Sequence, residues 1–179
     1  MRKMLSATAG LAALAGFLML PSAQASVAAE DVDLVSCPLG VQSTTYTPGL
    51  TFTTPAPDVT VSSSGTLGAC ASTDLDHTAA TYQFKGSGNL NCLGGNSTGT
   101  GKITWADPGT TPSRFTFVAS IALRPDGTTV LVATGPVISG DYTGHTVVHT
   151  VVITSLDLLA CATPGGLTLT SGPFSTTIV

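Results

Sequence analysis

The stretch from Tyr82 to Trp105 decides the fold, and its sequence is YQFKGSGNLNCLGGNSTGTGKITW. Because successive side chains of a β-strand point to opposite faces, its alternation of apolar and polar residues predicts a strand with one buried face. Glycine stands at the inward positions 86 and 88, which predicts a bend or the close approach of another backbone. Residues 93–98 favour a turn, and a second strand is expected to return at 100–106. The inward apolar residues of the first strand are Tyr82, Phe84, Leu90 and Cys92.

Residues 1–25 have the three parts of a secretory signal peptide. Arg2 and Lys3 are positively charged, residues 5–20 are mostly apolar, and Ala23-Gln24-Ala25 fits a small-x-small cleavage site. The apolar run is shorter than the roughly 20 residues that a membrane-spanning helix needs. We therefore predict a signal-peptide helix that is removed during export, a secreted protein, and no membrane span after cleavage.

The rest of the chain is expected to comprise a flexible acidic leader, residues 26–36, and a single all-β domain, residues 37–179. After residue 25 we find no convincing apolar stripe with the 3.6-residue period of a helix. Without residues 1–25, four basic residues remain against ten acidic ones, a net charge of −6. We expect a monomer that binds no nucleic acid, because such binding depends on clustered Lys and Arg. The basic residues are scattered along the sequence, at Lys85, Lys102, Arg114 and Arg124.

Strand-like segments separated by turn-forming residues follow at regular spacing. Each has one apolar face, so the sheet must close on itself or stack on another. We predict a single antiparallel β-barrel or β-sandwich of about nine strands. Arg124-Pro125-Asp126-Gly127 is expected to close the best-defined hairpin. The predicted strands lie at about 39–47, 51–54, 58–67, 80–92, 100–106, 114–124, 128–138, 144–155 and 166–178.

Four cysteines in an exported chain predict two disulfides, for which three pairings are possible. Segments 37–47 and 58–70 are strand-like and flank a turn-rich loop. If they pair antiparallel across this loop, Cys37 lies close to Cys70. Register therefore favours a Cys37–Cys70 bridge and leaves Cys92 to pair with Cys161.

Two resemblances follow from motifs. Trp105 and Cys161 lie 13 and 69 residues after Cys92, similar to the Cys…Trp…Cys pattern of immunoglobulin-like sandwiches, although Leu159 stands where those domains carry a tyrosine. Most of residues 37–175 resembles small, largely uncharacterised secreted β-domain proteins of actinobacteria. That second resemblance implies a structural role for its motifs and no activity. Its motifs are Thr-Tyr-Thr-Pro-Gly-Leu-Thr at 45–51, Gly-Lys-Ile-Thr-Trp at 101–105 and Gly-Asp-Tyr-Thr-Gly at 140–144.

His145 and His149 are candidates for a ligand pocket. Four residues of strand span roughly 13 Å, which is too far for both imidazoles to bind one zinc ion at about 2 Å each. We expect one partly buried, hydrogen-bonded histidine and one near the start of a strand. The alternative is that both line the mouth of a pocket, with Tyr82 and Trp105 among its aromatic walls.

Asp74-Leu75-Asp76-His77 is the densest titratable cluster. Two carboxylates and an imidazole can bind a hard cation or support acid–base chemistry. Aspartate is also common in turns, where its side chain bonds its own backbone, and we expect a solvated turn here. Residues 95–102 are similar to a phosphate loop, but Asn96 stands where its first glycine is needed and Ile103 where Ser or Thr must follow the lysine, and a strand is expected in place of its helix. We therefore predict no catalytic, cofactor-binding or metal-binding residue.

Three functions remain open. We expect a secreted, non-enzymatic structural, envelope or protein-interaction module with an unknown partner. The first alternative is a secreted barrel that binds a small apolar or carbohydrate ligand. The second is a hydrolase or isomerase that uses Asp76, His77, His145 or His149.

Overall fold

The structure, a computed structural model, describes residues 34–53, 56–125, 127–153 and 158–179. The predicted signal peptide and most of the predicted leader lie outside these residues. Within the described ranges, no helix is both long and apolar enough to cross a membrane. The elements are β1 (Val35–Leu50), β2 (Ala56–Gly68), β3 (Ala71–Ser72), β4 (Ala80–Asn91), β5 (Gly94–Trp105), β6 (Ser113–Leu123), β7 (Thr129–Ser139), β8 (Thr146–Ile153), α1 (Leu158–Cys161) and β9 (Leu167–Ile178).

Eight of the strands form a closed antiparallel barrel. From β4 to β9 each strand pairs with the next one in the chain, β9 then pairs with β1, and β1 with β2. The ring closes because β2 also pairs with β4. The two-residue strand β3 pairs with the first residues of β1, outside the ring. Of the two predicted architectures, the structure is therefore the barrel.

Alternation of side chains gives this barrel its core. In β4, buried residues alternate with exposed ones from Ala80 to Lys85, and in β6 from Ser113 to Ala122. An eight-stranded barrel has an interior just wide enough for side chains to fill. The largest fully buried side chains include Tyr82, Phe115, Leu90, Ile103, Ile178 and His149.

Two disulfides link segments at opposite ends of the barrel. At the end where β1 begins, the first end, Cys37 bonds Cys70, as the predicted register of β1 against β2 requires. At the end where β1 finishes, the second end, Cys92 after β4 bonds Cys161 in α1. Both predicted pairings are confirmed. The predicted hairpin between β6 and β7 is confirmed as well, because Leu123 pairs with Thr129 across it.

Three local predictions need correction. Residues 51–53 of the predicted strand 51–54 are not in a strand. The turn predicted at 93–98 is much shorter, because the Asn91 side chain accepts the backbone N–H groups of Leu93 and Gly94 at 2.9 Å each. Strand β5 therefore starts at Gly94.

The boundary of the predicted leader also shifts. Strand β1 begins at Val35, two residues inside the segment 26–36. The Val35 side chain is 1% exposed and Ser36 pairs with Thr177, so burial and sheet hydrogen bonding bring both residues into the barrel. The four-residue helix α1 was not predicted, since it is too short for an amphipathic period to show.

Candidate functional site: a histidine between two carboxylates

Polar side chains from two loops meet at the first end of the barrel. His77 and Asp74 lie in the connection from β3 to β4, and Asp141 and Tyr142 lie in the turn from β7 to β8. These two segments are more than 60 residues apart in sequence but close in space, because β4 and β7 both have an end here. We call these four residues the His77 cluster.

Both ring nitrogens of His77 have carboxylate partners. Its Nδ1 lies 3.0 Å from Oδ1 of Asp74, and its Nε2 lies 3.0 Å from Oδ2 of Asp141. The Tyr142 hydroxyl donates to Oδ2 of Asp74 at 2.9 Å and is 2.7 Å from Nδ1 of His77. Oδ2 of Asp141 also accepts the backbone N–H of Thr111 at 2.7 Å.

These contacts favour the charged forms of His77 and Asp74. Burial acts to lower the pKa of His77, but the hydrogen bonds and charges of Asp74 and Asp141 outweigh burial, so the pKa is raised. Burial acts to raise the pKa of Asp74, but hydrogen bonds, first that of His77, outweigh it and hold the pKa well below its usual range. The two carboxylates therefore favour the imidazolium form of His77.

Aromatic rings cover the imidazolium. The Trp105 ring meets the His77 ring edge-on with centroids 4.7 Å apart, and the Tyr142 ring lies at 4.6 Å. The Trp105 indole N–H donates to Ser113 at 3.0 Å, and Ser113 donates to the Asp141 carbonyl at 2.7 Å. Tyr142 has a φ of 63°, a costly conformation for a residue with a side chain. The surrounding contacts fix this strained turn.

The chemistry of the His77 cluster is that of a structural clamp. A general base needs a free ring nitrogen within reach of a substrate, whereas both nitrogens of His77 contact carboxylates. Among the described residues, no group of three or more His, Cys, Asp or Glu side chains is placed to hold a metal ion. Asp76 is exposed beside the cluster, and its backbone N–H donates to Oδ1 of Asp74 at 3.2 Å.

A second polar network lies inside the barrel around His149. Nε2 of His149 lies 3.0 Å from Oε1 of Gln42, and Nδ1 lies 2.9 Å from the Thr176 hydroxyl. The chain of donors continues from Gln42 to Thr44 at 3.3 Å and from Thr44 to Ser63 at 2.9 Å. Burial lowers the pKa of His149 to about 3, so the ring is neutral. Its Nε2–H then donates to Gln42, and Nδ1 accepts from Thr176.

The four predicted pocket residues fall in three places. Tyr82 and His149 stack inside the barrel, with ring centroids 4.3 Å apart and an angle of 10° between the rings. Trp105 lies at the first end, against His77. His145 is exposed in the turn before β8. No shared pocket mouth brings the four together.

Residues 95–99 have the sequence Gly-Asn-Ser-Thr-Gly and match the Gly-x-Ser-x-Gly pattern of a hydrolase nucleophile elbow, so a prediction that no serine stands in this pattern is wrong. The elbow requires a sharp turn from strand to helix that exposes the serine. Here Ser97 lies within strand β5, is 4% exposed, and pairs with Gly88 and Ala119 on the neighbouring strands. This serine is therefore not placed as a nucleophile.

Of the partners of His77, only Asp74 was predicted to lie near it from sequence, although two of the motifs that resemble those of actinobacterial β-domains contain the others. The motif at 101–105 ends in Trp105, and the motif at 140–144 contains Asp141 and Tyr142. All three residues contact or adjoin His77. Comparison of the chain with protein-family models, with curated proteins and with solved structures gave no match.

Proposed function

We propose that the protein is an exported, non-enzymatic β-barrel module that acts through its outer surface, in a structural, envelope or protein-interaction role. Two disulfides support export, because such bonds persist in oxidising compartments. They also support a rigid scaffold, because both ends of the barrel are crosslinked.

The observation that carries this proposal is the packing of rings inside the barrel. The His149 ring stacks on Tyr82 and lies 4.7 Å from the Phe174 ring. The Phe84 and Phe117 rings meet at 5.0 Å. A barrel that binds a small ligand in its interior needs open space lined by a few polar groups, whereas here side chains occupy the middle of the barrel. We therefore propose that the protein recognises its partner through the outer surface of the barrel.

Native mass spectrometry of the exported protein tests this proposal. We expect the mass of a chain that begins at Ser26, carries two disulfides and has no small molecule attached. A ligand that stays bound, and whose removal lowers the melting temperature, would favour the barrel that binds a small ligand. Turnover of ester or glycoside substrates that is lost in His77→Asn would favour the hydrolase instead.

A further inference from the structure

Three of the four basic residues that follow residue 25 meet on one outer face of the barrel. Lys85, Lys102 and Arg114 lie on the adjacent strands β4, β5 and β6. Lys102 is directly opposite Arg114, and Gln83, two residues before Lys85, is directly opposite Lys102. The basic residues are therefore scattered along the sequence but not in the folded protein, because the register of the strands brings together residues that are far apart in sequence.

In the part of the chain that the structure describes, none of these three cations forms an ion pair. Among the described residues, every ion pair involves His77. Like charges that are directly opposite on neighbouring strands repel each other, so Lys102 and Arg114 destabilise the sheet slightly. Lysine on a β-surface often protects an exposed strand edge from aggregation, but β4, β5 and β6 each have a partner on both sides. Protection of an edge therefore does not explain the cluster.

The cations line a groove of about 630 Å³ on the outer wall, which we call the cationic groove. Its other lining side chains include the hydroxyls of Ser62 and Thr100, the amide of Gln83, and Ile138, which is 55% exposed. Gly101 also lines it from an inward position, where an added Cβ would lie 2.2 Å from the Phe115 ring. Without a side chain there, the wall can sink towards the core.

We propose that the cationic groove binds a segment of an anionic polysaccharide, a sugar polymer that carries carboxylate or sulfate groups. This inference rests on the proposed function, because it places recognition on the outer surface. The groove is much larger than a single inorganic anion. Adjacent strands lie roughly 4.8 Å apart, so cations on three neighbouring strands match acidic groups repeated along a polymer. Hydroxyl and amide groups between them suit sugar hydroxyls, and Ile138 suits the C–H face of a sugar ring.

Other polyanions fit the cationic groove less well. Binding of single-stranded nucleic acid uses exposed aromatic side chains on which bases stack. The aromatic residues that line this groove, Phe84 and Phe115, are only 3% and 1% exposed, and its exposed large apolar side chain is the aliphatic Ile138. An acidic peptide that adds a strand needs an open sheet edge, which the paired strands β4 to β6 do not offer.

The test measures binding of the purified, disulfide-bonded protein to dextran sulfate and to polygalacturonate, with uncharged dextran and inorganic polyphosphate as comparisons. We expect binding to at least one of the two anionic polysaccharides, stronger than to polyphosphate, weakened by salt, and absent with dextran. The sulfate and carboxylate polymers distinguish the two sources of negative charge. Equal binding to dextran, or polyphosphate binding as tight as that of both polysaccharides, would overturn the inference.

Variants locate the site. The double substitution Lys102→Gln and Arg114→Gln should weaken binding about tenfold or more, and Lys85→Gln should weaken it by a smaller factor. Arg124→Gln removes the same charge at the exposed turn after β6 and should leave binding unchanged. Lys102→Arg, which keeps the charge, should bind like the parent protein. If the double variant keeps its near-ultraviolet circular dichroism and still binds fully, the cationic groove is not the site.

The length of the polymer after incubation separates the two proposals. If the polysaccharide binds and is recovered intact, both stand. If it is shortened, the non-enzymatic function fails, whether or not the cationic groove holds the polymer. If neither polysaccharide binds while the protein carries no other ligand, the cationic groove proposal alone fails.

Discussion

His149 lies in the barrel interior as a neutral ring, and its protonation opposes folding. Its pKa is lowered by burial to about 3, whereas an unfolded chain gives histidine a pKa of about 6.5. A group whose pKa is lower in the folded state costs stability as pH falls below the unfolded pKa. At pH 5 this cost is about 2 kcal/mol. The folded protein should therefore lose stability in mild acid.

We predict that His149→Phe keeps the ring in the stack but removes this dependence on pH. At pH 7 the variant should be less stable by about 1–3 kcal/mol, because Gln42 and Thr176 lose their buried partner. Between pH 7 and pH 5 this deficit should shrink by about 2 kcal/mol. Urea unfolding at both pH values measures it, with the exposed His145→Gln as the control. An unchanged deficit at pH 5 would show that His149 takes up its proton with an ordinary pKa.

His77 should have the opposite pH dependence. Its pKa is raised in the folded state, so its contribution is complete below the unfolded pKa of about 6.5 and is lost as pH rises through the folded value. The lowered pKa of Asp74 requires a pH above about 4 for the carboxylate to contribute fully. The His77 cluster is therefore most stabilising between about pH 4 and pH 6.5.

We predict that His77→Gln costs about 2 kcal/mol at pH 6 and clearly less at pH 9, because the ionic hydrogen bonds are lost with the proton. Urea unfolding at the two pH values measures the difference. Asp76→Asn changes an exposed carboxylate beside the cluster for which no side-chain hydrogen bond is found among the described residues, and it should have little effect. A cost for His77→Gln that is the same at both pH values would contradict an imidazolium in the folded protein.

Tyr82 and Tyr46 are buried tyrosines that differ at the hydroxyl. The Tyr82 hydroxyl has no hydrogen-bond partner among the described residues, whereas the Tyr46 hydroxyl lies 3.2 Å from that of Thr170. An unpaired buried hydroxyl costs about 1–3 kcal/mol. Tyr82→Phe should therefore leave the protein equally stable or more stable by about 1 kcal/mol, and Tyr46→Phe should lose about 1 kcal/mol. Thermal unfolding of both variants gives the comparison, and a clear loss in Tyr82→Phe would reveal a partner for its hydroxyl.

Among the strands, β5 depends on glycine where rings from β6 pack against it. Gly101 is directly opposite Phe115, and an added Cβ would lie 2.2 Å from the end of the Phe115 ring. Phe115 is 1% exposed and has little room to move. Gly68, at the end of β2, has no atom within 4 Å of the same added Cβ. The two glycines therefore separate the effect of packing from that of glycine itself.

We predict that Gly101→Ala destabilises the barrel by about 1–3 kcal/mol because of overpacking. Gly68→Ala should change stability by less than about 0.5 kcal/mol. Chemical unfolding of both variants measures the difference. Equal effects would mean that the Phe115 ring yields to the extra methyl group, and that Gly101 is not required for packing.

Local alternation predicted most of the strands, because each strand has one face in the core and the period of two is visible in the sequence. The first disulfide followed from the same logic, since β1 and β2 are neighbours in sequence and the loop between them sets their register. The prediction of a turn at 93–98 was wrong because the Asn91 side chain caps the connection. This capping allows a much shorter turn than the glycines at 94 and 95 indicated.

That single turn explains why the cationic groove was not predicted. A loop over 93–98 shifts the pairing of β4 with β5 by several residues and separates Lys102 from Gln83. The contribution of Asp141 and Tyr142 to the His77 cluster was not predicted for a different reason. His77 and Asp141 are 64 residues apart, and only closure of the whole barrel brings their loops to the same end.

At the scale of the whole molecule, the two disulfides act on separate parts of the chain. The Cys37–Cys70 bridge spans 33 residues and the Cys92–Cys161 bridge spans 69, and the two loops do not overlap. In the chain-entropy model the stabilisation grows slowly with loop length, to about 3.7 kcal/mol for the first and about 4.4 kcal/mol for the second. Because the bridges also lie at opposite ends of the barrel, their contributions should be independent.

We predict that the paired substitutions Cys37→Ala with Cys70→Ala, and Cys92→Ala with Cys161→Ala, each lower the free energy of unfolding by about 4 kcal/mol. Denaturant unfolding of each variant against the oxidised parent measures the losses. The fully reduced parent should lose about as much as the two variants together, because distant sites add within about 0.5 kcal/mol. If reduction unfolds the chain completely, the free energy of unfolding of each cysteine variant can still be compared with that of the oxidised parent. A variant as stable as the parent would mean that its bridge does not constrain the unfolded chain. A reduced parent that keeps full stability would contradict the view that these crosslinks hold the two ends of the barrel.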